Sequence, residues 1–127
     1  LNKVIKKRRK NATLYQKLMK DISQIKLPID EKNYYSTYHT FLIKAENRNK
    51  LKKFLEKKGI STGIHYPYLI HKLKFINKYN PLKYRLPLPK VERMVKKILT
   101  LPINQYMTTK EIKYISENII NFYKSNK

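Results

Sequence analysis

The chain has the length of one ordinary domain, 127 residues, and its 41% hydrophobic content with 11 tyrosines is enough for a core, which excludes wholesale disorder despite a net charge of +22. Cysteine is absent, which excludes disulfide scaffolds, cysteine-type zinc fingers and thiol catalysis. No apolar run approaches the ~20 residues that span a bilayer, and the basic opening LNKVIKKRRK does not read as a secretory signal.

Residues 1–22 read as one long amphipathic helix. Leu1, Ile5, Ala12, Tyr15, Met19 and Ile22 recur at spacings of three and four, with Arg8 as the polar exception. Val4, Leu18 and Ile25 widen the stripe, and the run Lys6–Lys10 reads as a solvated face. The helical pattern is already under way at Leu1, which is not a methionine; a piece of something longer is the expectation, and a rare initiator codon the alternative. Residues 26–33 form a connector, with Pro28 biasing Leu27 away from helix. YYSTYHTFLIKA, residues 34–45, is dense in aromatic and β-branched residues and reads as a strand. Residues 47–58 form a second amphipathic helix on Leu51, Phe54 and Leu55, with Asn47 as N-cap and Gly59 as its stop. Ile60–Tyr66 reads as a short strand ended by Pro67, and residues 69–79 as a weak helix before the Asn80–Pro81 break. A proline-led helix over about 89–99 carries Val91, Met94, Val95, Ile98 and Leu99. A minimal strand over about 100–103 follows. Thr108 and Glu111 make a capping-box pattern that opens a last helix, 109–124.

The order of elements predicts an α/β (α+β) domain. We expect a small antiparallel or mixed sheet of strands 34–44, 60–66 and 100–103, with helices 47–58, 89–99 and 109–124 mainly on one side.

The charge has two readings. Lys supplies 25 of the 30 basic residues, and Lys, Asn, Ile and Tyr together make 62 of 127; all four have codons made largely of A and T. Drift in an AT-rich genome is a sufficient cause of much of the basicity. The functional reading is an electrostatic footprint for nucleic acid or another polyanion. Such domains cluster their basic residues and interleave aromatics, whereas Lys here is spread over nearly every segment. A small basic binding module for nucleic acid or an acidic partner is therefore the alternative, not the leading, reading.

Candidate chemistry is sparse. The histidines, His39, His65 and His71, lack the spacing of a metal pair. His39 inside a strand reads as a packing residue and His71 as a surface residue. His65 sits in Gly63-Ile64-His65-Tyr66-Pro67, where a loop leaves a strand. On the residues alone, His65 stands open between a packing role and ligand contact. Two glycines cannot build a phosphate loop, and no nucleophile or kinase motif is present.

The stretch YHTFLIKAENRNKLKKFLEKKGISTGIHYP resembles the C-terminal domain of the DegT/DnrJ/StrS-type sugar aminotransferases, which depend on pyridoxal 5′-phosphate (PLP). The matching features are Tyr38-His39, Lys58-Gly59-Ile60, the loop Gly63–Pro67 and His71. Downstream come Pro89-Lys90-Val91-Glu92-Arg93, Leu99-Thr100-Leu101-Pro102-Ile103 and Thr108 to Glu111. Arg8-Arg9-Lys10-Asn11-Ala12 with Tyr15 looks like the helix linking the two domains of that family.

The resemblance implies a fold: the small C-terminal domain of fold-type-I PLP-dependent aminotransferases over 26–127, preceded by an interdomain helix over 1–25. It implies amino transfer, from glutamate, to a nucleotide-linked keto sugar, for cell-surface polysaccharide precursors, in a cytoplasmic homodimer. It places His65 and Tyr66 toward the sugar nucleotide, with Gly63 giving close backbone approach and Pro67 fixing the loop exit. No catalytic, cofactor or metal residue carries over, because the Schiff-base lysine and most phosphate contacts belong to a large N-terminal domain. A missing large domain or a second polypeptide is thus the implied partner, and the fragment alone is expected to be inactive. With that domain absent, Leu1–Ala12 is expected to project with few tertiary contacts.

Overall fold

Helix α1 spans Asn2–Met19 in the computed structural model, which describes residues 1–73 and 87–125. Ala12, Tyr15 and Met19 are its fully buried stripe, with Leu14 and Leu18 half-buried beside them. The helix ends earlier than residue 22 because Ile25 has a better home. Ile25–Lys26 is a strand, β1, in which Ile25 pairs with Ala45 and Lys26 with Lys44.

Strand β2, Phe41–Ala45, is shorter than the expected 34–44 run. Tyr38 takes a left-handed φ of +48°, which breaks an extended chain. The segment before β2 satisfies its backbone elsewhere. Arg8 Nη1 donates to the carbonyls of Tyr38 (3.4 Å) and His39 (3.0 Å), and Arg9 Nη1 donates to that of Ser36 (2.6 Å). His39 accordingly lies exposed ahead of the strand and not packed within it. The two arginines are engaged side chains, which corrects the reading of Lys6–Lys10 as a solvated face. Only Lys6, Lys7 and Lys10 of that run are exposed.

Helix α2, Arg48–Lys57, buries Leu51 and Leu55. Asn47 holds the N-cap position, but its side chain makes no capping bond and its φ is +51°. At the other end the expected stop is realised. Gly59, at φ +73°, donates to Glu56 O, and Ile60 N donates to Leu55 O, which together close the last carbonyls in a Schellman turn.

Ile60–Tyr66 is not a strand. Gly63 alone pairs, in an isolated antiparallel bridge to Thr100. A single 3₁₀ turn, Ile70–Lys72, stands where the weak helix was expected; residues 74–79 of that helix and the Asn80–Pro81 break lie outside the described residues.

Helix α3 is Pro89–Val95, and Ile98–Leu101 forms strand β3. Ile98 and Leu99 thus belong to the sheet and not to the helix as expected, since pairing with β2 buries them. Val91 and Met94 remain partly exposed. β2 and β3 are antiparallel, with Phe41 opposite Leu101 and Ile43 opposite Leu99. The sheet order is β1-β2-β3. Helix α4, Thr109–Lys124, carries the full capping box: Glu111 N donates to Thr108 Oγ1 (3.2 Å), and Thr108 N donates to Glu111 Oε2 (2.7 Å).

Alternation along β2 and β3 sends Phe41, Ile43, Leu99 and Leu101 to one face. They form one core with the stripes of α1, α2 and α4, including Tyr15 stacked on Phe41 at 4.9 Å between ring centroids. The α/β class is as expected, and α1, α2 and α4 pack on this face, whereas α3, expected beside them, contributes no buried residue to the core. Two buried tyrosine hydroxyls of this core find backbone acceptors. Tyr15 donates to Pro102 O (3.0 Å), and Tyr123 donates to Glu46 O (2.6 Å). Burial, and secondarily the charge of Glu46, push the Tyr123 phenol up to about 12.

Candidate functional site

The other face of the sheet carries the loop that the sequence singled out. Gly63 docks on the free edge of β3 through two backbone bonds: Gly63 N to Thr100 O (3.0 Å) and Thr100 N to Gly63 O (2.8 Å). Two residues on, the chain bends and the His65 ring folds back over this bridge. His65 Nδ1 lies 2.9 Å from Thr100 Oγ1. A Cβ built on Gly63 would stand 2.7 Å from His65 Cε1, so only glycine leaves the ring this seat. Tyr66 meets the imidazole edge-on at 5.6 Å, across a cis peptide bond, and is 76% exposed. Pro67 and Tyr68 are also exposed as the chain leaves. The structure thus brings His65, Tyr66 and Gly63 together at the edge of β3, and Pro67 stands at the exit of the same loop.

A second contact holds the loop's far end. His71 Nε2 lies 3.3 Å from Glu92 Oε1, and Lys72 Nζ lies 3.1 Å from Glu92 Oε2. Hydrogen bonds from Lys72 and then His71 hold the Glu92 carboxyl below the usual carboxylate range. His71 is therefore a half-buried partner of α3 and not a free surface residue. Thr100 and Glu92 were not among the candidate residues. In the sequence both stood only inside the family-like segments, Thr100 in Leu99–Ile103 and Glu92 in Pro89–Arg93, with no role attached to either.

The remaining concavities are open. One of about 470 Å³ is lined by Ile60, Pro102, Met107, Tyr114 and Ile115. Another, of about 480 Å³, is lined by Arg48, Lys50, Lys96 and Lys97. Among the described residues, every lysine is exposed except Lys52, which is half-buried and paired with Glu56. A Schiff-base lysine needs a desolvated setting. The described residues therefore do not by themselves fit PLP. Among them no group of three His, Asp or Glu side chains converges as a metal site, and no helix is long and apolar enough to cross a membrane.

Comparison with known proteins places this geometry in context. Residues 1–120 match the sequence profile of the DegT/DnrJ/EryC1/StrS aminotransferase family. The chain is 29% identical to a pleiotropic regulatory protein of Geobacillus stearothermophilus over 98% of its own length and 33% of that protein. It is 26% identical to the UDP-2-acetamido-2-deoxy-3-oxo-D-glucuronate aminotransferase of Pseudomonas aeruginosa, over 90% of this chain and 30% of the other. Its fold superposes on that of DesV from S. venezuelae, solved with a ketimine intermediate, at a TM-score of 0.85 and 22% identity, covering 95% of this chain and 32% of DesV. The chain spans about a third of the length of the relatives it matches.

Proposed function

The chain belongs to the DegT/DnrJ/EryC1/StrS aminotransferase family, and from that premise we propose that it forms the sugar-facing part of a PLP-dependent transaminase. The whole enzyme transfers an amino group, from glutamate, to a keto sugar carried on a nucleotide, as a step toward cell-surface polysaccharide precursors in the cytoplasm. The Pseudomonas relative, whose name specifies a UDP-linked 3-oxo sugar acid, supports this substrate class. Within the chain, the observation that carries the reading is the loop Gly63–Pro67, pinned to β3 with the His65 and Tyr66 rings together at the surface.

PLP, when bound, supplies the electron sink for amino transfer. Its lysine, and most of its phosphate contacts, fall to a large domain or a second polypeptide, in a homodimer. This chain's residues bind and orient the sugar. Imidazole and phenol groups pair with the oxygens of an anionic, hydroxyl-rich ligand. Gly63 seats the imidazole, and Pro67 sets the loop's exit.

The test has two arms. PLP added to the 127-residue chain is expected to give no stoichiometric adduct absorbance that one lysine substitution abolishes; a site-specific adduct overturns the division of labour. A UDP-linked sugar titrated into the ¹⁵N-labelled chain is expected to shift loop signals, and His65→Ala or Tyr66→Ala to weaken binding about tenfold or more. Binding indifferent to both substitutions overturns the site.

The exposed face of α1 favours the second reading, a basic module. Lys3, Lys6, Lys7, Lys10 and Lys17 lie on it, with Lys20 just past its end, and none has an ion pair among the described residues. That reading requires DNA binding that falls steeply with salt and ignores His65.

A further inference from the structure

We infer that Thr100 is a positioning residue for His65, its hydroxyl holding the neutral imidazole in the form that carries its proton on Nε2. The inference rests on the site reading above and adds to it the polarity of the His65 contact.

The argument is an accounting of donors. Thr100 is 8% exposed, in the strand between Leu99 and Leu101. Its backbone N–H and C=O are both spent on Gly63. Its hydroxyl has one proton to give, and a buried donor without an acceptor is costly. Among the described residues the only partner of Thr100 Oγ1 is His65 Nδ1, at 2.9 Å. If Nδ1 carried the proton, both groups would offer hydrogen to one another's lone pair, and the hydroxyl proton would have nowhere to go. With the Thr100 hydroxyl donating to a bare Nδ1, the hydroxyl and Nδ1 satisfy one another and the ring proton sits on Nε2, facing outward.

The ring cannot easily slide to another partner. Gly63 lies beneath it, with the position of a missing Cβ only 2.7 Å from Cε1 and 3.2 Å from Nδ1, and the Tyr66 ring meets it edge-on. Nε2 has no hydrogen-bond partner among the described residues. The loop thus presents a fixed N–H donor. Such a donor recognises an oxygen acceptor, a phosphoryl or carbonyl oxygen of the nucleotide-linked sugar. It does not accept a hydrogen bond from a sugar hydroxyl.

The first measurement needs no variant. Long-range ¹H–¹⁵N correlations of the His65 ring in the 127-residue chain, under conditions where the ring is neutral, are expected to show the proton on Nε2 and a bare Nδ1. A proton on Nδ1 overturns the assignment whatever any ligand does. The second measurement compares Thr100→Val and Thr100→Ser, each checked for folding by the amide signals of β2 and α4. Thr100→Val is expected to mix the two ring forms and to weaken binding of a UDP-linked sugar about tenfold, one oriented hydrogen bond's worth. Thr100→Ser is expected to restore both. Unchanged ring form and affinity in Thr100→Val overturn the positioning role. Absence of sugar-nucleotide binding in the unsubstituted chain, with the proton on Nε2 intact, overturns the site reading separately from the Thr100–His65 assignment.

Discussion

At the scale of single residues, the informative position is Gly63. A methyl group there would press into His65 Cε1 at 2.7 Å, and the ring, on an exposed side chain, is what must give way. Gly63→Ala is therefore expected to unseat His65 from Thr100 with little change in melting temperature. The measurement is the His65 ring signals together with sugar-nucleotide affinity. A large stability loss with the ring still on Thr100 would show that Gly63 serves the backbone instead. The sequence showed this residue because its meaning is local: glycine, histidine, tyrosine and proline within five positions. Thr100 stayed hidden because its contact with His65 spans 35 residues and depends on one bridge of strand register. Arg8 stayed hidden for a related reason. As an interruption in an apolar stripe it read as solvated, yet its guanidinium reaches Tyr38 and His39 carbonyls some 30 residues on.

At the scale of elements, the ends governed by local rules were legible and those governed by partners were not. The start of α4 is the clearest of the first kind. Thr108 and Glu111 close their capping box as the pattern predicts. Thr108→Ala is expected to cost about 1 kcal/mol, read by chemical denaturation. The box also carries a pH signature. Hydrogen bonds from the Thr108 backbone and then its side chain hold the Glu111 carboxyl below its usual range. A lowered folded-state value means that the contribution is present above the ordinary glutamate pKa and is lost as pH falls through the lower folded value. Acid is thus expected to loosen the first turn of α4, and Glu111→Gln to flatten that part of the pH profile; an unchanged profile would sink the assignment. The strands are of the second kind. β2 begins at Phe41 because β3 offers partners from Leu101 back to Ile98 and because arginines of α1 have taken the carbonyls of Ser36, Tyr38 and His39. β1 has two residues and exists only through Ala45 and Lys44, so no periodicity in its own sequence announces it.

At the scale of the whole molecule, the question is how much of α1 belongs to this fold. An 18-residue helix is about 27 Å long, and the expectation from sequence was that everything through Ala12 would project. The structure moves that boundary toward the N-terminus. Arg8 reaches Gln105 as well as the β2 approach, and Arg9 pairs with Asp30 at 2.8 Å. Asn11 donates to Asn104 O at 2.8 Å, and Ala12 is fully buried. The Asp30 carboxyl is desolvated, which pushes it up, but hydrogen bonds from Tyr38 and Arg9 overcome this and hold it below the usual carboxylate range. Residues 8–19 are therefore bolted to three separate segments. The first two turns differ. Leu1 is 94% exposed, Val4 and Ile5 are only partly covered, and the first turn holds no acidic residue. Lys3, Lys6 and Lys7 instead set positive charge against the positive end of the helix dipole. Hydrogen exchange on the 127-residue chain is expected to show slow amides from about Ala12 to Met19 and fast ones from Val4 to Lys7, with the change near Arg8. Arg8→Ala together with Arg9→Ala is expected to move that change toward Tyr15, since it removes the bonds to the β2 approach and to Asp30. Uniform protection from Val4 onward in a demonstrated monomer would mean that the first two turns are held by something other than these two arginines.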